Sequence, residues 1–283
     1  MIKFGPAGNS EAFYEQGYKS TWQAPKWLHD LGLNAFEYSF GRGVRLTQAT
    51  AEKIGAEAQA NQVHLSVHAP YFINLAGEGE EKFEKNLMYL EQSAQAAQNL
   101  GATRVVFHPG ACAKMDRRVA FENTMESFKK ILTMLEEKGY GNLIFCPETM
   151  GKINQIADLE EVAQLTNLAE NVIPTIDFAH LHARTIGGIR TKQDYIEILD
   201  FLENTIGTEK TKKIHVHFSH IEYTKAGEKM HRRFEETDFG PDYVPLCELF
   251  YERKMCPTVI CESNGTQALD AKQMLEAYLH AKK

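Results

Sequence analysis

Eight short apolar runs alternate with eight longer amphipathic stretches along the 283 residues, and His, Asp or Glu closes run after run. Nothing interrupts the alternation: there is no composition shift, no Ser/Gly linker and no low-complexity segment. These observations predict an α/β chain folded as one (β/α)8 TIM barrel over residues 1–283. Alternating strands and helices build parallel sheets, and such barrels run to about 250 residues as a single unit. A doubly wound open sheet is the nearest alternative, and the absence of a G-x-G-x-x-G after the first run weakens it.

In order, the expected strands are 2–5, 35–40, 64–69, 104–108, 143–148, 172–177, 214–219 and 258–262. The expected helices are 23–31, 47–60, 80–100, 118–138, 158–169, 191–206, 242–254 and 270–281. Thr47 and Asp158 are start signals, and Gly32, Gly101, Gly139 and Gly207 follow the last apolar position of their stretches as stop signals. The run 64–69 is the model for the rest: an apolar strand delivers His68 to its C-terminal end and breaks at Pro70 into an aromatic loop.

Composition narrows the function. Hydrophobic residues make up 43% and charged residues 24%, the balance of an ordinary soluble globular protein. No apolar run reaches the ~18 residues of a membrane span and the start lacks a signal-peptide core, so no membrane partner and a cytoplasmic location are expected. Five cysteines without C-x-x-C spacing read as small buried hydrophobes rather than a disulfide framework. A net charge of −7 argues against indiscriminate nucleic-acid binding, although bound cations would reverse the sign locally.

In a barrel the chemistry lies at the C-terminal mouths of the strands. Glu37, His68, His108, Glu148, Asp177, His217 and Glu262 sit there on successive strands, with His180 just beyond Asp177. One such residue is more often structural than a ligand, but this many like charges converging need a neutraliser, and divalent cations supply one. Imidazoles and carboxylates without thiolate suit zinc, manganese or iron(II), and their number points to two or three ions. His215 shares a face with His217 one pleat deeper, so an indirect role is expected for it.

The motifs His68-Ala-Pro-Tyr71-Phe-Ile-Asn74-Leu75, Phe107-His108-Pro109-Gly110, Pro147-Glu148-Thr149, Ile176-Asp177-Phe-Ala-His180, His217 and Cys261-Glu262 resemble endonuclease IV, the abasic-site endonuclease of the xylose-isomerase-like barrel superfamily. The resemblance runs from the third strand to the eighth. It implies that His68, His108 and Glu148 hold a first Zn2+ (Mn2+ being the alternative), that Glu148 bridges to a second held by Asp177, His217 and Glu262, and that His180 and His231 hold a third. It further implies a monomer acting on damaged duplex DNA, with a metal-activated hydroxide attacking the phosphodiester 5′ to an abasic site. Glu148 and Glu262 would be catalytic, and Tyr71 and Asn74 would contact DNA; outside the resemblance, the Gly-flanked second loop would let Arg42 and Arg45 reach a DNA backbone.

Two departures stand out. The family's Asp-x-His pair is here Lys229-Met230-His231, leaving Glu228, Glu235, Glu236 and Asp238 as the nearby carboxylates. The first strand, Phe4-Gly5-Pro6-Ala7-Gly8, and the second loop, Tyr38-Ser-Phe-Gly41-Arg42-Gly43-Val-Arg45, also depart from the family's usual wording, and Glu37, which has no counterpart among the implied ligands, would at a mouth suit a sugar hydroxyl or a general base. The second hypothesis is therefore a metal-dependent sugar or sugar-phosphate isomerase or epimerase of the same superfamily, with one ion and paired carboxylates. A metal-stabilised binding protein without turnover is the third. The nuclease reading also requires that Arg42, Arg45, Lys152, Arg184, Arg190, Lys225, Arg232 and Arg233 gather on one rim.

Overall fold

A computed structural model describes residues 1–282. Its strands are β1 (Lys3–Pro6), β2 (Ala35–Ser39), β3 (His64–His68), β4 (Arg104–Phe107), β5 (Ile144–Pro147), β6 (Thr175–Asp177), β7 (His215–Phe218), β8 (His220–Thr224), β9 (Gly227–Arg232) and β10 (Thr258–Cys261). β2, β3, β4 and β5 pair in that order, as do β6, β7, β10 and β1, all parallel. Single bridges Ala7–Glu37 and Glu148–Thr175 join the two groups at both seams and close the TIM barrel. All the expected strands form. The unexpected pair is β8 and β9, an antiparallel hairpin at the mouth.

The helices are α1 (Glu11–Glu15), α2 (Ala24–Asp30), α3 (Gln48–Ala60), α4 (Glu80–Leu100), α5 (Arg117–Leu135), α6 (Leu159–Thr166), α7 (Phe178–Arg184), α8 (Lys192–Ile206), α9 (Thr208–Thr211), α10 (Val244–Glu252) and α11 (Gln267–His280). Their ends follow local chemistry. Thr47 accepts the Thr50 amide ahead of α3, Asp158 and Glu161 form a capping box on α6, and Gly101 closes α4 in the left-handed conformation at φ 67°. The short helices α1, α7 and α9 escape the sequence pattern because four to seven residues hold too few turns to show a period.

Strand alternation sorts the side chains. Phe36, Val67, Val105, Phe145, Ile176, Val216 and Val259 enter the large apolar cluster shared with the helices. Residues one step away face the barrel axis. There Val106, Cys146 and Ile173 form a small separate apolar cluster and Ile260 sits level with His217, while Glu37, Ser66, His68, Glu148, Asp177, His215 and His217 make much of the axis polar. This interior is what positions the site.

Candidate metal centre

Glu148 lies at the middle of the mouth with no exposure to solvent, and its two oxygens face different partners. Oε2 is 3.1 Å from His68 Nε2 and 3.3 Å from His108 Nε2. Oε1 is 3.3 Å from His217 Nδ1 and 3.2 Å from His180 Nδ1. Glu262 closes the second group, its Oε2 lying 3.4 Å from His217 Nδ1. Two sets of possible ligands, His68–His108–Glu148 and Glu148–Asp177–His217–Glu262, thus share one carboxylate.

Backbone contacts fix which nitrogen each imidazole offers. His68 Nδ1 lies 2.8 Å from the Ala69 carbonyl, to which it donates, so Nε2 is turned to the cluster. Asp177 caps α7 by accepting the His180 amide on Oδ1 at 2.8 Å, which leaves Oδ2 for the cluster. His180 Nδ1 donates to the Thr149 carbonyl at 2.9 Å and directs Nε2 toward the hairpin.

Glu148 Oε1, Asp177 Oδ2 and His217 Nδ1 are buried without a hydrogen-bond partner. Buried polar atoms are rarely left so, and three of them converging fit a divalent cation held by imidazole and carboxylate. Electrostatics agree. Burial, the largest single influence, would push the Glu148 and Glu262 carboxyls up, but the surrounding histidines, His217 foremost, together outweigh it, holding Glu148 well below the usual range and Glu262 at about 2.

A third group joins Asp177, His180 and His231, and the hairpin brings a further carboxylate, Glu228, to its edge. In the hairpin Met230 pairs with Glu222 and Glu228 with Tyr223, so Lys229 is the extra residue of a β-bulge. The bulge shifts the pleat by one position and brings Glu228, instead of Lys229, to the face that carries His231. Glu228 Oε2 lies 3.5 Å from His180 Nε2, and the His180 and His231 rings are 5.2 Å apart. Lys229 turns outward to Glu222. Of the other carboxylates, Glu235 pairs with Arg233 and Glu236 with Arg232. Sequence reasoning did not find Ser219, whose hydroxyl lies 2.7 Å from His231 Nδ1.

Residues 25–280 match the model of a family described as the xylose isomerase-like TIM barrel. The chain belongs to the xylose isomerase-like TIM barrel family. It is 32% identical to an uncharacterized protein of Methanocaldococcus jannaschii, over 98% of this chain and 97% of that one. It is 28% identical to a probable endonuclease 4 of Staphylococcus carnosus over 55% of this chain, and it spans about half of that relative, 52%. Among solved structures, endonuclease IV of Thermus thermophilus superposes with TM-score 0.68 at 20% identity, covering 99% of this chain and 98% of that one. A D-tagatose 3-epimerase-like protein gives 0.74 at 20% identity, covering 99% and 97%. At that identity these likenesses show the fold shared across the family.

Several expected site residues are placed differently from the sequence reading. Glu37 is not at the mouth; it is fully buried beneath the cluster, out of reach of any sugar hydroxyl or substrate proton. Asn74 does not face outward. Its side-chain oxygen accepts the Ala111 amide, and its backbone pairs with Asn86, so it braces the loops after β3 and β4. The basic rim is only partly free. Arg184 donates to the carbonyls of Met150, Lys152, Ile153 and Gln155, Arg190 to that of Gly187, Arg232 pairs with Glu222 and Glu236, and Arg233 pairs with Glu11. Among the described residues Arg42, Arg45, Lys152 and Lys225 make no ion pair, and Tyr71 stands 52% exposed at the lip. The cavity over the cluster is about 500 Å³ and is lined by Tyr71, Lys152, His108, Glu228, His231 and Glu262 among others.

A pH dependence of metal uptake follows from His68. Burial pushes its imidazole down, but Glu148 pushes it up further, to about 9, so below that pH a metal must displace a proton from Nε2. Apparent affinity is expected to rise with pH up to about 9, by at most about tenfold per unit for each displaced proton, and then to level. Chelator competition at several pH values measures this. A flat profile would show that His68 gives up no proton to the metal.

Proposed function

We propose that this protein is a metal-dependent phosphodiesterase of the endonuclease IV type, cleaving DNA 5′ to abasic sites. The observation that carries the reading is the division of Glu148, with one oxygen toward His68 and His108 and the other toward His217. A one-ion isomerase needs a single such set and makes no use of a carboxylate shared between two. Divalent cations, when bound, supply positive charge to the phosphate oxygens and lower the pKa of water. The chain does the rest. Glu148 and Asp177 keep the imidazoles in place, and Glu262 keeps an edge in the cavity, where it accepts a hydrogen bond from an incoming water or hydroxyl. Asp177, His180 and His231 form a third group, and Glu228 lies beside His180 at its edge. Tyr71 offers an exposed ring for stacking beside an extruded nucleotide.

The engaged rim arginines and the limited cavity favour a second reading, a sugar or sugar-phosphate isomerase or epimerase using Glu148, Asp177, His217 and Glu262 around one ion. One assay separates the two. Zinc- or manganese-loaded protein is incubated with a duplex bearing a single abasic analogue, beside a chelator control, and metal is counted in the same preparation. The expected result is metal-dependent nicking 5′ to the lesion with two or three ions per chain. Intact duplex together with one ion per chain would reject the nuclease and leave the isomerase.

A further inference from the structure

Glu37, His215 and Arg104 form a buried line beneath the cluster that the proposed chemistry does not use. Arg104 Nη1 lies 3.4 Å from His215 Nδ1, and its Nη2 donates to the Lys213 carbonyl at 2.7 Å. A guanidinium only donates, so His215 Nδ1 is the accepting nitrogen and Nε2 carries the proton. That Nε2 faces Glu37 Oε2 at 3.0 Å, and Ser66 Oγ donates to the same oxygen at 2.7 Å. The remaining oxygen, Oε1, is 2.9 Å from His217 Nε2; this approach and that of His215 Nε2 are close charge contacts without the alignment of a hydrogen bond. His215, His217 and Glu37 are wholly excluded from solvent.

We propose that Glu37 is a positioning residue for the metal centre: it holds the Nε2 proton of His217 and thereby presents His217 Nδ1 to the cation shared with Glu148 and Glu262. Arg104 cannot accept, so His215 turns its Nε2 proton to Glu37, and the Glu37 carboxylate, itself an acceptor, favours the proton of His217 on the nitrogen that faces it. Carboxylates behind ligating imidazoles orient the ring and raise its basicity, and their loss typically costs about 10–100-fold in metal affinity. The competing possibility is a cation directly between Glu37, His215 and His217, which also offer three ligand atoms within 4.8 Å of one another. The Ser66 proton on Oε2 and the guanidinium against His215 oppose it.

The inference rests on the mouth being a metal centre and not on the phosphodiester substrate. Its test is the rate at which cobalt(II) leaves the loaded protein into excess chelator, with the visible cobalt spectrum and metal content of the same samples. For Glu37→Gln the expected results are an unchanged number of ions, release faster by about 10–100-fold and an altered cobalt band. Glu37→Asp restores part of the rate. In a His217→Ala background Glu37→Gln adds nothing further, which a general loosening of the barrel would not reproduce. If Glu37→Gln does not fold, Ser66→Ala is read instead, with a smaller change in the same direction. Unchanged release, an equal added effect in the His217→Ala background, or loss of a whole ion would each overturn the positioning role. Wild-type protein that takes up no cobalt would remove the metal centre itself and this inference with it, whereas unchanged release in Glu37→Gln leaves the centre standing.

Discussion

Glu148→Gln is expected to lower metal-dependent cleavage by about 10²–10³-fold or more, the scale on which one well-placed group in a desolvated site acts, and to deplete metal from two subsites at once. The double loss is the informative part. Gln keeps the volume of Glu but offers one oxygen and an NH2, so it cannot face His68 and His108 with one oxygen and His217 and His180 with another. Changing Glu262, which does not join the His68–His108–Glu148 set, is expected to leave that set in place and to deplete the ion held with His217. The barrel should survive both changes, because its large apolar cluster lies between strands and helices, away from these side chains. Metal analysis, the nicking assay and circular dichroism on the same samples check this. Full activity in Glu148→Gln would remove the bridging role on which the nuclease reading stands.

The parts of this molecule that were legible in the sequence are those governed by local alternation. His215-Val216-His217-Phe218 shows the rule: the valine and phenylalanine enter the apolar layer under the helices, and the two histidines face the axis. The same reading placed His68, His108, Glu148, Asp177, His217 and Glu262 close together before any coordinates. Depth was not legible. Glu37 looked like a strand-end residue, but strand tilt and stagger set how high each residue sits in a barrel, and these leave no local mark. The hairpin was hidden for another reason. Glu222, Lys229 and Arg232 make it polar along its length, and its bulge breaks the period by which strands are recognised. Asn74 was misjudged because its partners, Asn86 and the Ala111 amide, come from later segments.

That hairpin sets the other large effect. Gly227→Val is expected to remove the third group of ligands while the first two remain. Gly227 has φ 93°, which a β-branched residue adopts only with strain, and a Cβ built there would come 2.2 Å from the Gly151 carbonyl oxygen. The hairpin tip is docked at this point. Glu228 donates its amide to Gly151 O at 3.0 Å, and Ile153 donates to Ala226 O at 3.1 Å. Pushing the tip away carries Glu228 off His180 and displaces the strand that bears His231, so that of the third group only Asp177 and His180 keep their places. Metal content should fall by one ion and cleavage by about 10–100-fold, the range typical of a lost supporting contact. Lys229→Ala serves as the control and should change neither, because a half-exposed lysine paired with Glu222 adds little energy and faces away from the cavity. A Gly227→Val protein that keeps every ion would show that the hairpin does not complete the centre, and an ion lost from Lys229→Ala would place the lysine, against the bulge, on the metal side.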